Sequence, residues 1–209
     1  MGNTVITIAR SYGSGGRTLG KLLAKELGIN YYDRELIRMA SDESGINEAL
    51  FGEVDEKLKK SPLFRIVKKT YRGEIIPPES GEFVSDDNLF NYQAKVIRQL
   101  AEEESCVIIG RCADYALEER DDVLSVFIHA DLEDRIKNVA KLNELTDNKA
   151  KDLIHKTDKR RASYYNYYTN KKWGDAESYD ICINSSKFGV DGCVKAIKDF
   201  LELEASLEE

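Results

Sequence analysis

The stretch Val5–Thr18 reads VITIARSYGSGGRT and combines an apolar run, a glycine-rich turn and the start of a helix. A short β-branched run such as Val5–Ile8 is typical of a buried strand. The glycines of Gly13–Gly16 let backbone N–H groups point inward, and the helix that follows adds the positive end of its dipole. This order of elements predicts a cradle for an anion such as phosphate.

Strand and helix signals alternate along the rest of the chain. Five short apolar runs, some with their turns, are predicted strands: Val5–Ile8, Ile29–Asp33, Cys106–Arg111, Val123–Ile128 and Tyr179–Asn184. The longer stretches between them repeat apolar residues at helical spacing. This alternation predicts an α/β fold with a doubly wound, mainly parallel sheet. Because ligands bind such sheets at the carboxyl ends of the strands, the glycine turn, Asp33 and Arg111 are expected to meet at one edge.

The composition limits the classes of partner. The chain has 209 residues, a formal net charge of -7 and no apolar run near the length of a membrane span. An acidic chain of this size predicts a single domain in the cytoplasm, with neither nucleic acid nor a membrane as its main partner. We expect small-molecule substrates, and a homo-oligomer is compatible with the sequence.

Two chemistries use such a sheet edge. A dinucleotide-binding oxidoreductase has the pattern G-x-G-x-x-G before a helix and a carboxylate about 20 residues later. Gly13–Thr18 fits two of the three glycines, and Asp33 lies at the required distance. Phosphoryl transfer instead requires positive charge around oxygens that become more negative. Several cationic residues are placed to provide that charge: Arg17, Arg111, Arg135, Lys156, Lys159, Arg160 and Arg161.

Five segments together carry a resemblance to a known family: Ile6–Arg17, Tyr31–Asp33, Val107–Asp114, Trp173–Gly174 and Tyr179–Asp180. They resemble the cytidylate kinase-like family, a branch of the nucleoside monophosphate kinases with a P-loop fold. The resemblance implies a three-layer P-loop NTPase fold with a five-stranded, mainly parallel sheet, a helical acceptor-binding insert and a basic lid. Within one domain, we place the core at about 1–39 and 88–209, the insert at about 40–87 and the lid at about 155–175.

The resemblance also implies roles for individual residues. ATP would be held by Ser11, Tyr12, Gly13, Ser14, Gly15, Gly16, Arg17 and Thr18. The acceptor would be bound by Asp33, Arg38 and Arg111. Catalytic groups would be Arg17, Arg111, Asp158, Arg160 and Arg161, with Asp158 and Arg161 matching the D-x-x-R pattern of the family's lid. Thr18 would approach Mg²⁺, and the metal's carboxylate is left open between Asp33 and Asp114.

Two departures from the pattern of cytidylate kinases concern catalysis and specificity. Their phosphate loop ends in G-S-G-K-G-T, whereas this chain has Gly16 in place of the lysine, followed by Arg17. We expect Arg17 to supply the missing charge from one residue later. The turn D-G-R-D corresponds to Ile109–Cys112, which keeps Arg111 and lacks both carboxylates.

The sequence therefore predicts a kinase that moves the γ-phosphoryl group of ATP to a nucleoside monophosphate, with a cytidylate-like acceptor favoured. Two alternatives stay open. One is a degenerate P-loop protein that binds or senses a nucleotide without transferring phosphate. The other, less favoured, is an NAD(P)-dependent oxidoreductase of the dinucleotide-binding fold.

Overall fold

One five-stranded sheet forms the centre of the molecule. The computed structural model describes residues 3–56 and 74–207, and among them only the backbone of 54–56. The strands are β1 (Val5–Arg10), β2 (Asn30–Tyr32), β3 (Cys106–Ile109), β4 (Val123–His129) and β5 (Ile181–Asn184). They lie in the order β2-β3-β1-β4-β5, and each pairing is parallel. The predicted α/β class is confirmed, and the sheet is parallel throughout.

Helices cover both faces of this sheet. Their bounds are α1 (Gly16–Leu27), α2 (Glu35–Ser44), α3 (Glu48–Glu56), α4 (Asp86–Glu103), α5 (Ala113–Ala116), α6 (Leu132–Asn143), α7 (Asp147–Thr169) and α8 (Ser185–Leu207). A short 3₁₀ helix spans Ala176–Ser178, and Gly189 interrupts the helical backbone near the start of α8. Within the described residues, no helix is long and apolar enough to cross a bilayer.

The position of β1 explains its sequence. It lies between β3 and β4, with helices over both faces, so its side chains are buried on either side and its apolar run is continuous. Ile6 and Ile8 pack with α1 and α8, whereas Val5 belongs to the opposite cluster with α2 and α4. Parallel strands end at the same edge, so the glycine loop after β1, Asp33 after β2 and Gly110 after β3 share that edge.

The strand order argues against the dinucleotide-binding alternative. In that fold the strand ending in the ribose-binding carboxylate lies beside the first strand, giving the order 3-2-1-4-5-6. Here β3 separates β2 from β1. Asp33 therefore lies one strand further from the glycine loop than its spacing in the sequence suggested.

The segment before α4 is anchored to that helix by a buried side chain. Pro77, Pro78 and Gly81 indicate a mobile insert across residues 61–87 that covers the core, and this stays a prediction. Towards residues 74–87, the side chain of the fully buried Asn88 accepts a hydrogen bond from the N–H of Ile76 at 2.8 Å and donates to the Ile76 and Phe83 carbonyls at 3.1 and 2.7 Å. Residues 57–73, which include the end of a helix predicted over 47–60, lie outside the described residues.

We expect Asn88→Ala to lower the free energy of unfolding by about 2 kcal/mol, because the three backbone groups that its side chain satisfies lose their partner. Urea unfolding checks this value. The matched control is Asn47→Ala: the side chain of Asn47 accepts one hydrogen bond from Ala49, in an exposed setting, at 2.9 Å. Equal losses in the two variants would contradict the prediction.

Candidate active site

The loop between β1 and α1 presents unsatisfied backbone donors. Gly13 and Gly15 have φ values of +85° and +79°, a conformation that disfavours residues with a side chain. The first backbone hydrogen bond of α1 runs from Leu19 to the carbonyl of Gly15 at 2.9 Å. The N–H groups of residues 16–18 therefore precede the helical ladder, and Gly15 at the N-cap has no side chain to accept from them. Such a helix start binds anions.

The opposite side of the loop is pinned by side chains that donate to its carbonyl groups. Asn138 donates to the carbonyl of Gly13 at 3.0 Å, and the hydroxyl of Ser185 donates to that of Ser14 at 2.7 Å. The hydroxyl of Ser14 lies 2.9 and 3.1 Å from the carbonyl oxygens of Ser11 and Ile128 and shares its single hydrogen between them. With its carbonyls engaged from outside, the loop keeps a defined shape before any ligand binds.

Helices α6 and α7 dock onto the loop through a charged pair. Arg135 on α6 donates from Nε to the carbonyl of Tyr12 at 2.8 Å and forms an ion pair with Asp158 on α7. The Oδ1 atom of Asp158 accepts the N–H of Tyr12 at 2.8 Å. The backbone of one loop residue thus joins both helices.

The predicted lid residues divide into two groups, the partly buried arginines and the exposed lysines. Arg161 donates from Nη1 to the carbonyl of Arg10 at 2.9 Å and lies 5.5 Å from the centre of the Tyr12 ring. The Nε atom of Arg160 is buried and has no hydrogen-bond partner within the described part of the chain. Lys156 and Lys159 are exposed. The hydrogen bonds of Asp158 go to Arg135 and Tyr12, and its negative charge favours the charged form of Arg161; that Asp158 holds Arg160 and Arg161 in place stays a prediction.

Asp33 lies at the centre of a cluster of arginines. Its side chain is 10% exposed, and its Oδ2 atom lies 2.6 Å from Nε of Arg17. Nη2 of Arg10 lies 4.0 Å from the other carboxylate oxygen. The loop arginine predicted to face the phosphates of ATP is therefore paired with the predicted acceptor residue, and its proposed place as the lysine substitute stays a prediction.

Arg111 is held close to Asp33 by an unusual turn. Residues 110, 111 and 112 all have positive φ, with Arg111 at +57°, which is strained for a residue with a long side chain. Its Nε donates to the Asp33 carbonyl at 3.3 Å, and its Nη1 donates to Oε1 of Gln93 at 3.1 Å. Arg38 is exposed on α2, and no described contact links it to this cluster.

Two residues of the cluster were missed in the sequence. Gln93 lies inside α4 and is fully buried, and its Nε2 atom has no hydrogen-bond partner among the described residues. Arg10 ends β1, and burial, reinforced by the charge of Arg161, lowers its pKa to about 9. The signal for Arg10 was its place at the carboxyl end of a central strand. Nothing in the sequence distinguished Gln93 from other polar residues of an amphipathic helix.

The predicted magnesium ligand Thr18 is exposed in the first turn of α1. Mg²⁺ prefers oxygen ligands, keeps several waters and is commonly shared with substrate phosphates. Within residues 3–56 and 74–207, no group of three or more His, Cys, Asp or Glu side chains could hold a metal ion. The Thr18 hydroxyl is an oxygen donor of the kind that Mg²⁺ prefers, and its role as a ligand stays a prediction.

Asp114, the second carboxylate considered for the metal, faces a different environment. Its Oδ2 accepts a hydrogen bond from the hydroxyl of Tyr165 at 2.6 Å. Burial raises its pKa, and the hydrogen bond from Tyr165 and the charge of Lys171 act against that rise. This carboxyl group is part of the packing between α5 and α7.

The raised pKa of Asp114 predicts a pH-dependent effect on stability. Because the folded state binds this proton more tightly than the unfolded state, the contribution is present at low pH and is lost as pH rises through the folded pKa. Asp114→Asn stays neutral and keeps an oxygen for Tyr165, so we expect it to unfold at a higher urea concentration than wild type at about pH 8, with the difference shrinking towards about pH 4. The control is Asp121→Asn, which changes an exposed carboxylate. A difference in urea midpoint between Asp114→Asn and wild type that stays constant with pH would contradict the prediction.

A polar cavity of about 230 Å³ lies beside the phosphate loop. Its lining consists of Ala130, Asp134, Lys137, Asn138, Ser185 and Ser186. Asn138 and Ser185 are the side chains that pin the carbonyls of Gly13 and Ser14. The cavity is therefore next to the loop on the side of α6 and α8.

The chain is similar to known proteins over nearly its whole length. A model of the cytidylate kinase-like family matches residues 5–187. The crystal structure of an uncharacterized protein from Eubacterium ventriosum is 29% identical, covers 96% of this chain and 99% of its own, and has a TM-score of 0.70. Shikimate kinase from Bacteroides thetaiotaomicron is 16% identical, with coverage of 95% and 98% and a TM-score of 0.55, which shows a shared fold. Comparison with curated proteins gave no match.

Proposed function

This chain belongs to the cytidylate kinase-like family, and from that premise we propose that it transfers the γ-phosphoryl group of ATP to a nucleoside monophosphate. Cytidylate is the first acceptor to test. The observation that carries the proposal is the arrangement of free N–H groups at the start of α1 beside a cluster of arginines and one carboxylate. Phosphoryl transfer requires mainly positioning and positive charge, and both are present at this edge.

The donor side is supported by the loop. The N–H groups of residues 16–18 would hold the phosphates of ATP at the start of α1, and residues 13–15 would shape the loop around them. Mg²⁺, when bound with ATP, would neutralise charge on the phosphate oxygens, and the hydroxyl of Thr18 is placed in the helix turn from which it could reach the ion.

The acceptor side is supported by Asp33, Arg111 and Gln93. The strained turn at Arg111 holds a guanidinium group in a fixed direction, which favours a role in binding over one in packing. The Nε2 of the buried Gln93 has no hydrogen-bond partner among the described residues, and it is a donor that a polar acceptor molecule would satisfy. The roles of Arg38 and of the insert at about 40–87 remain predictions from the family pattern.

Helix α7 would supply the lid. Arg161 touches the end of β1 and the Tyr12 ring, and Arg160 is its neighbour on the helix, with a buried Nε atom that has no partner among the described residues. Their positive charge would stabilise the transferring group, and the docked helix would exclude water from it.

A second candidate is nucleotide binding without transfer. The observation that favours it is the 2.6 Å ion pair between Arg17 and Asp33, which occupies a residue predicted for the donor and one predicted for the acceptor. A sensor would retain this pair, whereas a kinase would have to open it to admit the acceptor.

A coupled assay of ADP release distinguishes the two candidates. Purified protein with ATP·Mg²⁺ would be tested against CMP, dCMP, UMP, AMP and GMP, with Asp33→Asn as the control for contaminating kinases. Acceptor-dependent turnover that the variant lacks supports the kinase. Calorimetric binding of ATP·Mg²⁺ without turnover on any acceptor would instead favour the sensor, and absence of ATP binding would overturn both.

A further inference from the structure

The side chain of Arg10 occupies the space that a side chain at position 16 would need. A Cβ atom on Gly16 would lie 2.7 Å from Cβ and 3.0 Å from Cγ of Arg10. Real Cβ atoms do not approach other carbons so closely, so the two positions cannot both carry an extended side chain without a shift of the backbone. The glycine at position 16 is therefore explained by the path of Arg10.

The far end of the same side chain runs over a second glycine. A Cβ atom on Gly110 would overlap with Nη1 of Arg10, and Gly110 itself has a φ of +70°. Beyond that point, Nη2 faces the Asp33 carboxylate at 4.0 Å. Arg10 thus extends from the phosphate loop to the predicted acceptor residue, between two glycines that leave room for it.

The electrostatic environment of Arg10 favours an anion as its partner. Burial lowers its pKa most, three other arginines, namely Arg161, Arg111 and Arg17, lower it further, and Asp33 raises it. The side chain of Arg10 is only 16% exposed. A guanidinium group that is so enclosed, with one shared carboxylate at 4.0 Å, is stabilised strongly by any further negative charge.

Arg17 has the opposite character. Its side chain is 49% exposed, and its Nε already lies 2.6 Å from Asp33. A cation in the first turn of a helix is also disfavoured by the helix dipole, and the ion pair compensates for this. Arg17 is therefore placed with the acceptor residue, and Arg10 is the arginine whose stem crosses the lysine position.

We propose that Arg10, not Arg17, takes the place of the P-loop lysine and binds the terminal phosphates of ATP. The Arg10 side chain starts at the end of β1, before the loop, and crosses over Gly16. Its guanidinium group supplies the positive charge that the lysine would supply. Arg17 then belongs to the acceptor side with Asp33. This inference rests on the proposed function to the extent that ATP is the ligand.

The first test compares three arginine variants by calorimetric titration with ATP·Mg²⁺. Arg10→Met keeps the stem that packs on Gly16 and removes the charge, so we expect affinity to fall about 10- to 100-fold. Arg17→Met is expected to stay within about threefold, as is Arg120→Met, whose arginine pairs with Asp122 just before β4. Thermal unfolding without ligand should show Arg10→Met no less stable than wild type, because the variant removes one of several neighbouring positive charges.

The second test moves the positive charge from position 10 to position 16. Gly16→Lys alone should bind ATP·Mg²⁺ poorly, because its Cβ would overlap the stem of Arg10. Gly16→Lys combined with Arg10→Ala removes the overlap and returns a cation to the loop, so we expect most of the lost affinity to be recovered. Arg10→Ala alone is the reference: if Arg10 supplies the charge, this variant binds ATP·Mg²⁺ weakly and the added lysine restores affinity, whereas a merely structural Arg10 predicts no difference between the two variants.

The outcomes separate this inference from the kinase proposal. Wild-type affinity in Arg10→Met, or a larger loss in Arg17→Met, would overturn the inference while leaving ATP binding intact. A double variant no better than Gly16→Lys would also overturn it. If wild-type protein itself does not bind ATP·Mg²⁺, the proposed function fails first and this inference fails with it.

Discussion

Gly13→Ala is expected to abolish detectable ATP binding and to lower the free energy of unfolding by about 3 kcal/mol. Two effects act together. The φ of +85° is unfavourable for alanine, and the new Cβ would lie 2.8 Å from Cγ2 of Val139 and 2.9 Å from the carbonyl oxygen of Arg135. Because α6 presses on the loop at this point, the loop cannot give way without displacing the helix that fixes it.

Gly28→Ala is the matched control for this prediction. Gly28 also has a positive φ, +67°, but a Cβ there would meet no atom within 4 Å. Only backbone strain is added, so we expect a loss of about 1 kcal/mol and unchanged ATP binding. Urea unfolding and calorimetry of both variants test the difference. Similar unfolding midpoints would mean that contact with α6 does not constrain the loop.

The sequence was sufficient to predict the sheet and the loop because both depend on local patterns. The apolar run of β1 and the glycines after it are visible without tertiary structure, and parallel strands place their ends together by topology alone. The order of strands was less accessible. The spacing of Asp33 suited two folds, and only the position of β3 between β1 and β2 distinguishes them.

The parts of the candidate site that escaped prediction depend on contacts between distant segments. Arg10 lies beyond the strand predicted at Val5–Ile8, and its closeness to Gly16 and Gly110 appears only when β1, α1 and β3 are packed together. Asn88 and Gln93 lie on a helix whose apolar spacing hides which polar residues are buried. In each case the side chain contacts residues that are distant in the sequence. Local sequence patterns do not indicate such contacts.

Asp158→Ala is expected to loosen the attachment of α6 and α7 to the phosphate loop and to reduce phosphoryl transfer about 100-fold or more. The substitution leaves Arg135, whose side chain is 12% exposed, without its carboxylate partner and leaves the N–H of Tyr12 without its acceptor. We expect the free energy of unfolding to fall by about 2 to 3 kcal/mol, since the pair is largely but not fully buried.

The mechanism of this effect can be checked without relying on turnover. If α7 separates from the loop, trypsin should cleave near Arg160 and Arg161 faster in Asp158→Ala than in wild type, at temperatures where both are folded. Asp152→Ala removes an exposed carboxylate from the same helix and should leave cleavage unchanged. Asp158→Asn keeps an oxygen for the N–H of Tyr12 but not the charge, so it should fall between the two. If Asp158→Ala were cleaved no faster than Asp152→Ala, the Arg135–Asp158 pair would not be what holds α7 against the loop.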